Sequence, residues 1–284
     1  LGKIMITDAN AVAAASLIRA GDLLRRPDLR ESGLKTLEFL WDKTWNASTS
    51  RFDHAWTPEG GRAGLEEFFV DQAQMLRLLL AAFESTGEAR HLERARQVAA
   101  AAVPAFADSL NGGFADRVST GQAVGLMSWP VRSLRDNALF TDALIRLYHH
   151  TADDALAKTA RKALESWADE FSEYKELSAP FGLAVDHLLN PPLEIILLGP
   201  HESPEFAPLA AEARALYHPW RVIRYPGPEE AGTMLKRRQV TPPAGVACVL
   251  CLGTLCSAPA SKPEEIKPAM AELKAACIAA EERK

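Results

Sequence analysis

Apolar residues recur at helical spacing through the first two thirds of the chain. The sharpest stripe joins Phe69, Ala73, Leu76, Leu79, Leu80 and Phe83 on one face of a helix. Its polar lead, Asp71-Gln72-Ala73-Gln74, runs on to Leu78-Leu79-Leu80. Asn10-Ala11-Val12-Ala13 does the same up to Leu17-Ile18-Arg19, and Asn137-Ala138-Leu139-Phe140 up to Leu144-Ile145-Arg146. The leads Asn10, Asp71 and Asn137 stand 61 and 66 residues apart. A short polar break follows each helix: Arg25-Arg26-Pro27-Asp28, Thr86-Gly87-Glu88 and Thr151-Ala152-Asp153. Second stripes then carry Leu34/Leu37/Trp41, Leu92/Ala95/Ala99/Phe106 and Ala160/Ala163/Leu164/Trp167/Phe171. Breaks this short fold each pair of helices back antiparallel. Two return loops, Arg51-Phe52-Asp53-His54 and Gly112-Gly113-Phe114-Ala115-Asp116, resemble each other. The pattern predicts three αα hairpins over residues 1–190. Stacked hairpins either run on as an open solenoid or close into a ring.

The helical pattern breaks at Asn190-Pro191-Pro192. Leu193–Leu198, closed by Gly199-Pro200, reads as a strand, as do Arg221–Tyr225 and Val246–Leu250. A helix is expected from Pro204 to Tyr217 with Ser203 as its cap, and a closing helix from Lys262 to Glu281 with Ser261 at its cap. Residues 191–284 are therefore a small α/β domain with a three-stranded sheet and one crossover.

Composition narrows the function classes. Of 284 residues 48% are hydrophobic and 24% charged, so the chain folds. A net charge of −5 argues against a nucleic-acid surface. The sequence holds no run of about 20 apolar residues, the length a membrane span needs. The opening Leu1-Gly2-Lys3-Ile4-Met5-Ile6 lacks a signal peptide's apolar stretch. Cys248, Cys251, Cys256 and Cys277 all lie near the end of the chain, a distribution that favours a reducing cytoplasm over a disulfide framework.

Several stretches, in this order, resemble the C-terminal half of the thioredoxin-domain-containing family of bacterial YyaL and spermatogenesis-associated protein 20. They are Lys3-Ile4 through Asn10-Ala11, Phe69-Val70-Asp71-Gln72-Ala73, Asn111-Gly112-Gly113-Phe114, Asp136-Asn137, Pro191-Pro192-Leu193-Glu194-Ile195, and Cys251 to Cys256 followed by Pro259 and Pro263-Glu264-Glu265. The resemblance implies a mostly α fold: hairpins forming part of an (α/α)6 toroid of the six-hairpin glycosidase type, similar to sugar epimerases and glycoside hydrolases. Family members carry further hairpins and a thioredoxin-like domain ahead of this region. Thr7-Asp8-Ala9 departs from the family's Trp before Asn10, and Gln72 from its second acidic or aromatic element.

In a toroid the helix starts and return loops converge at one end of the ring. Asp71 and Asp136 are the expected catalytic pair, two carboxylates placed to flank a glycosidic oxygen. Asn10, Asp53, His54, Trp56, Asp116, Trp129 and Asn137 are the expected sugar-binding set. His54 suits the proton shuttle of an epimerase, and the loop tryptophans suit stacking on sugar rings. The same acids and amides equally serve as helix caps and loop braces. Cys248 and Cys251 lie along an apolar strand and point to opposite faces. Free thiols are the main expectation for the cysteines, and a reversible Cys251–Cys256 disulfide the minor one. Neither a metal site nor a cofactor is predicted. Gly199-Pro200-His201-Glu202-Ser203 joins a strand to a helix start and offers a weak anion site. The leading function is a carbohydrate-handling toroid, glycosidase-like or epimerase-like. The alternative is a non-catalytic scaffold or redox-linked accessory protein. Expected partners are a sugar, the missing hairpins or thioredoxin-like domain, or a second copy.

Overall fold

The computed structural model describes residues 4–62, 67–118, 125 and 129–281. The chain divides into two compact units, residues 1–19 with 28–189, and residues 20–27 with 190–284.

The chain opens with β1 (Met5–Ile6), α1 (Thr7–Leu23) and α2 (Pro27–Thr44), of which residues 20–27 are counted with the second unit. Four short strands follow: β2 (Trp45–Asn46), β3 (Arg51–Phe52), β4 (Ala55–Thr57) and β5 (Gly61–Arg62). Then come α3 (Phe69–Thr86), α4 (Ala89–Phe106), α5 (Leu134–Thr151) and α6 (Asp154–Glu165). A 3₁₀ segment (Phe171–Ser178) leads into α7 (Ala179–Leu189). The hairpins α1/α2, α3/α4 and α5/α6 are those the periodicity predicts. Local chemistry sets their ends. Pro27 starts α2 where its missing N–H is harmless. Gly87 closes α3 at φ 73°, and the Asp153 side chain accepts the Ala155 N–H to start α6. The third hairpin stops at Glu165, short of the expected Phe171. Trp167 still packs in the core, with Leu134, Leu164 and Phe181.

Helices α3 and α5 are the inner ones. Nearly every residue of α3 is buried, whereas α2, α4 and α6 bury one face. The phenylalanines Phe69, Phe114 and Phe140 meet at ring distances of 4.9 to 5.1 Å, joining α3, a return loop and α5.

The return loops are gripped from two sides, and the grip defines the true repeat register. Thr7 donates its N–H to the His54 carbonyl, and Phe69 donates to that of Asp116, both at 2.8 Å. From the next hairpin, the Gln72 side chain brackets the Phe52 backbone: Phe52 N–H to Oε1, and Nε2–H to Phe52 O, both 2.9 Å. Asn137 brackets Phe114 in the same way, at 2.7 and 2.8 Å. Asn10, Gln72 and Asn137 each also donate to the carbonyl four residues earlier. Gln72, not Asp71, is therefore the counterpart of Asn10 and Asn137. The repeats stand 62 and 65 residues apart.

The second unit holds β6 (Leu193–Leu198), α8 (Phe206–Ala215), β7 (Arg221–Arg224), α9 (Pro228–Arg237), β8 (Ala247–Leu252), β9 (Leu255–Cys256) and α10 (Pro263–Glu281). Its sheet has four strands rather than three, in the order β7-β6-β8-β9, with β6 parallel to β7 and antiparallel to β8. One face packs Ile195, Leu197, Cys248 and Leu250 against α8 and α10. The other packs Ile196, Val249 and Cys251 against Ala231 and Leu235 of α9, a helix the sequence pattern did not reveal. Ser203 does not cap α8; its hydroxyl bonds Glu205 instead. At α10 the Glu265 carboxylate accepts the Ser261 and Lys262 N–H groups.

Candidate functional site

The starts of the inner helices bring together one group of titratable side chains. Asp71, in the first turn of α3, is fully buried. His54 Nδ1 lies 3.0 and 3.2 Å from its two carboxylate oxygens. The Asp8 N–H donates to the same carboxylate at 3.0 Å. The His54 ring stands edge-on to Phe68 at 4.9 Å, which limits its orientation. Its side chain is 24% exposed. A buried carboxylate thus holds an imidazole that solvent can reach.

The electrostatics are those of a crowded acidic pocket. Burial pushes the Asp71 carboxyl up to about 7, with His54 opposing and Asp8 adding to the rise. Burial also raises Asp136, in the first turn of α5, and Asp8 adds to that too. Asp8 lies beside Asp71 and His54, and its charge also acts on Asp136. Asp136 Oδ1 is buried with no hydrogen bond, although Arg135 lies 3.7 Å away. Ligand atoms of Asp8, His54 and Asp71 lie within 4.8 Å of one another, a spacing that can hold a divalent cation.

The expected sugar-binding residues separate into two groups. Asp53, Asp116 and Asn137 belong to the braces. The Asp53 carbonyl accepts the Thr7 hydroxyl, and Asp116 Oδ1 accepts the Val131 N–H. Asn137 is buried with its amide on the Phe114 backbone, a bracing arrangement. Asn10 and Trp56 remain accessible, lining an open cleft of about 580 Å³ with Phe39 and Lys35. Trp129 is 75% exposed, and its carbonyl accepts from Arg117.

In the second unit Cys251 and Cys256 form a disulfide across the paired strands β8 and β9. This overturns the main expectation of free thiols for that pair. Cys248 stays a free, buried thiol, pushed up to about 12 by burial, and Cys277 is also free. No cluster of cysteine and histidine ligands forms among the described residues. A cleft of about 630 Å³ lies where β6 and β7 end, lined by Gly199, His201, Glu202, Tyr225 and Gly227. Glu202, with Glu229 and Glu230 in the first turn of α9, makes it a poor anion site.

Sequence reasoning found Asp71 and His54 separately and missed Asp8. The signal for Asp8 was its place in a first turn, one residue off the repeat register.

No protein-family model matches the chain, and neither does any curated protein. Solved structures do match. One is a family 76 α-mannanase of Bacteroides thetaiotaomicron, 14% identical with a TM-score of 0.52, over 74% of this chain and 56% of that one. Another is cellobiose 2-epimerase from Spirochaeta thermophila DSM 6192, 14% identical with a TM-score of 0.51, over 60% and 44%. A third is a D-mannose isomerase, 11% identical with a TM-score of 0.50, over 59% and 44%. The helical part of the chain shares the αα-hairpin toroid fold of these structures. The chain spans about half the length of these structures. At such identities the likeness is one of fold, and function rests on the site.

Proposed function

We propose that this chain handles carbohydrate by proton transfer, with His54 as the group that meets the sugar. The observation that carries this is the His54–Asp71 pair, with the carboxylate enclosed and the imidazole reachable. An enclosed Asp71 cannot itself touch a glycosidic oxygen. Its part is to hold Nδ1, leaving Nε2 to take or give a proton. Asp136, its carboxyl raised, supplies the second acid–base group. Such a pair suits removal of the proton beside a sugar carbonyl, the step common to epimerase-like and isomerase-like chemistry. A glycosidase-like use needs Asp136 and one of Asp8 or His54 to flank the bond. Fold likeness to an epimerase, an isomerase and a mannanase supports the substrate class. Within that class, the ordered motifs support membership of the thioredoxin-domain-containing family of YyaL and spermatogenesis-associated protein 20. A cytoplasmic setting fits that membership, with Cys251–Cys256 as a reversible link.

The test is exchange of the C2 proton into heavy water, followed by proton NMR across a panel of aldoses and ketoses. Exchange with at least one sugar, lost in His54→Gln, is expected. Exchange that survives in His54→Gln rejects the assignment.

A second reading, a scaffold completed by further hairpins or another copy, rests on one observation. Ile4, just before β1, and Val12 and Phe39 of the first hairpin are 62%, 38% and 43% exposed. Sedimentation that reports a monomer at all concentrations counts against self-association.

A further inference from the structure

Deeper along the inner helices lies a second cluster, of the opposite sign. Arg19 on α1, Arg77 and Glu84 on α3, and Asp142 and Arg146 on α5 act on one another's charge. Both acids are already engaged. Glu84 accepts from Arg146 at 2.8 Å and lies 3.0 Å from His150 Nε2. Asp142 pairs with His187 of α7. Two guanidiniums are left over. Among the described residues Arg19 has no hydrogen-bond acceptor. Arg77 donates Nη1 to Gln74 at 2.7 Å, but its Nε–H is buried with no acceptor. Arg135 adds a further positive charge near Arg77.

These groups sit on a face that solvent reaches. Within the buried run of α3, Val70 and Arg77 are the partly exposed positions, and on α5 they include Arg135, Leu139 and Asp142. On α1, Asp8, Val12 and Arg19 are likewise at least partly exposed, with the buried Ala15 between them. On α3 and α5, which pack together, the exposed positions follow the 3.6-residue repeat, and the charges of Arg77 and Arg146 act on Arg19 of α1. Arg77 lies six residues beyond Asp71, about 9 Å further along α3.

A guanidinium with donors left unsatisfied among desolvating neighbours is unfavourable and cannot be relieved by losing its proton. Burial and the neighbouring Arg146 pull Arg19 down to about 10, and burial lowers Arg77 as well. The planar fork of an arginine fits carboxylate and phosphate oxygens. We infer that Arg19 and Arg77 bind the carboxylate or phosphate of an anionic sugar whose ring lies toward His54. This rests on the carbohydrate reading above, and it narrows the substrate class to charged sugars.

Thermal melting with D-glucuronate, glucose 6-phosphate, inorganic phosphate and neutral glucose tests it. At about a hundredfold excess over the dissociation constant, at least one charged sugar is expected to raise the melting temperature by about 5 °C. Glucose should leave it unchanged. Arg19→Gln and Arg77→Gln should each abolish the rise while melting, without ligand, no lower than the wild type. An arginine with a merely structural role would lower it. Arg77→Lys, which keeps the charge, should retain part of the rise. An equal rise with glucose overturns the inference, as does no rise with either charged sugar, including when phosphate alone binds. Variants that keep the full rise also overturn it. Arginine-dependent binding without C2 proton exchange upholds the inference and removes the proposed activity instead.

Discussion

Asp71 ties the stability of the first unit to pH. Its carboxyl moves from 3.8, the unperturbed value, to about 7 in the fold. The folded state therefore holds the proton more tightly than the unfolded chain. The stability this gives is complete below pH 3.8 and disappears as pH rises through 7, a change of about 4 kcal/mol across the window. Asp71→Asn removes the dependence. Urea titrations should find wild type and variant alike near pH 4, and the variant more stable at pH 8. Equal midpoints at both pH values would show that the carboxylate is not desolvated. At the same site His54→Gln should slow any proton exchange by about a hundredfold or more, read from initial rates at saturating sugar.

At the scale of elements, the amide brackets hold each hairpin to the next. Asn137 makes both hydrogen bonds to the Phe114 backbone in a buried setting, so truncation leaves a carbonyl and an N–H unpaired. Asn137→Ala is expected to destabilise by about 2–3 kcal/mol, measured by urea unfolding of the first unit. Gln72→Ala should act alike through Phe52. A loss under about 0.5 kcal/mol would mean that the loops are held by other contacts. Gly113 explains why the bracket fits: its φ is +68°, and a Cβ there would come within 2.7 Å of Asn137 Oδ1.

For the whole molecule, two compact units predict two separable unfolding transitions. The Cys251–Cys256 link closes a short loop in the second unit. Loop entropy limits its effect to about 2 kcal/mol. Dithiothreitol should lower the transition of the second unit by up to that amount and leave that of the first in place. Calorimetry with and without reductant checks this. A shift in the first transition would show that the units are coupled.

The sequence by itself determined what local spacing encodes: six hairpin helices, strands β6, β7 and β8, and the ends marked by Pro27, Gly87 and Asp153. It also marked His54 and Asp71 as separate candidates. Their pairing spans 17 residues, the Asp8 contact 63, and the meeting of Arg19 with Arg77 and Arg146 crosses three helices. Period-counting cannot see such contacts, because they follow from how the helices pack and not from any repeat within one. The register failed for the same reason. Gln72 looked like a departure beside Asp71 until its bracket on Phe52 matched that of Asn137 on Phe114. Helix α9 has few buried residues to form a stripe, Ala231 and Leu235, and only its packing on Val249 and Cys251 accounts for its place. Tertiary structure also decided which polar groups are free to act. It buried Asn137, enclosed Asp71 behind His54, and left the Arg77 Nε–H without an acceptor.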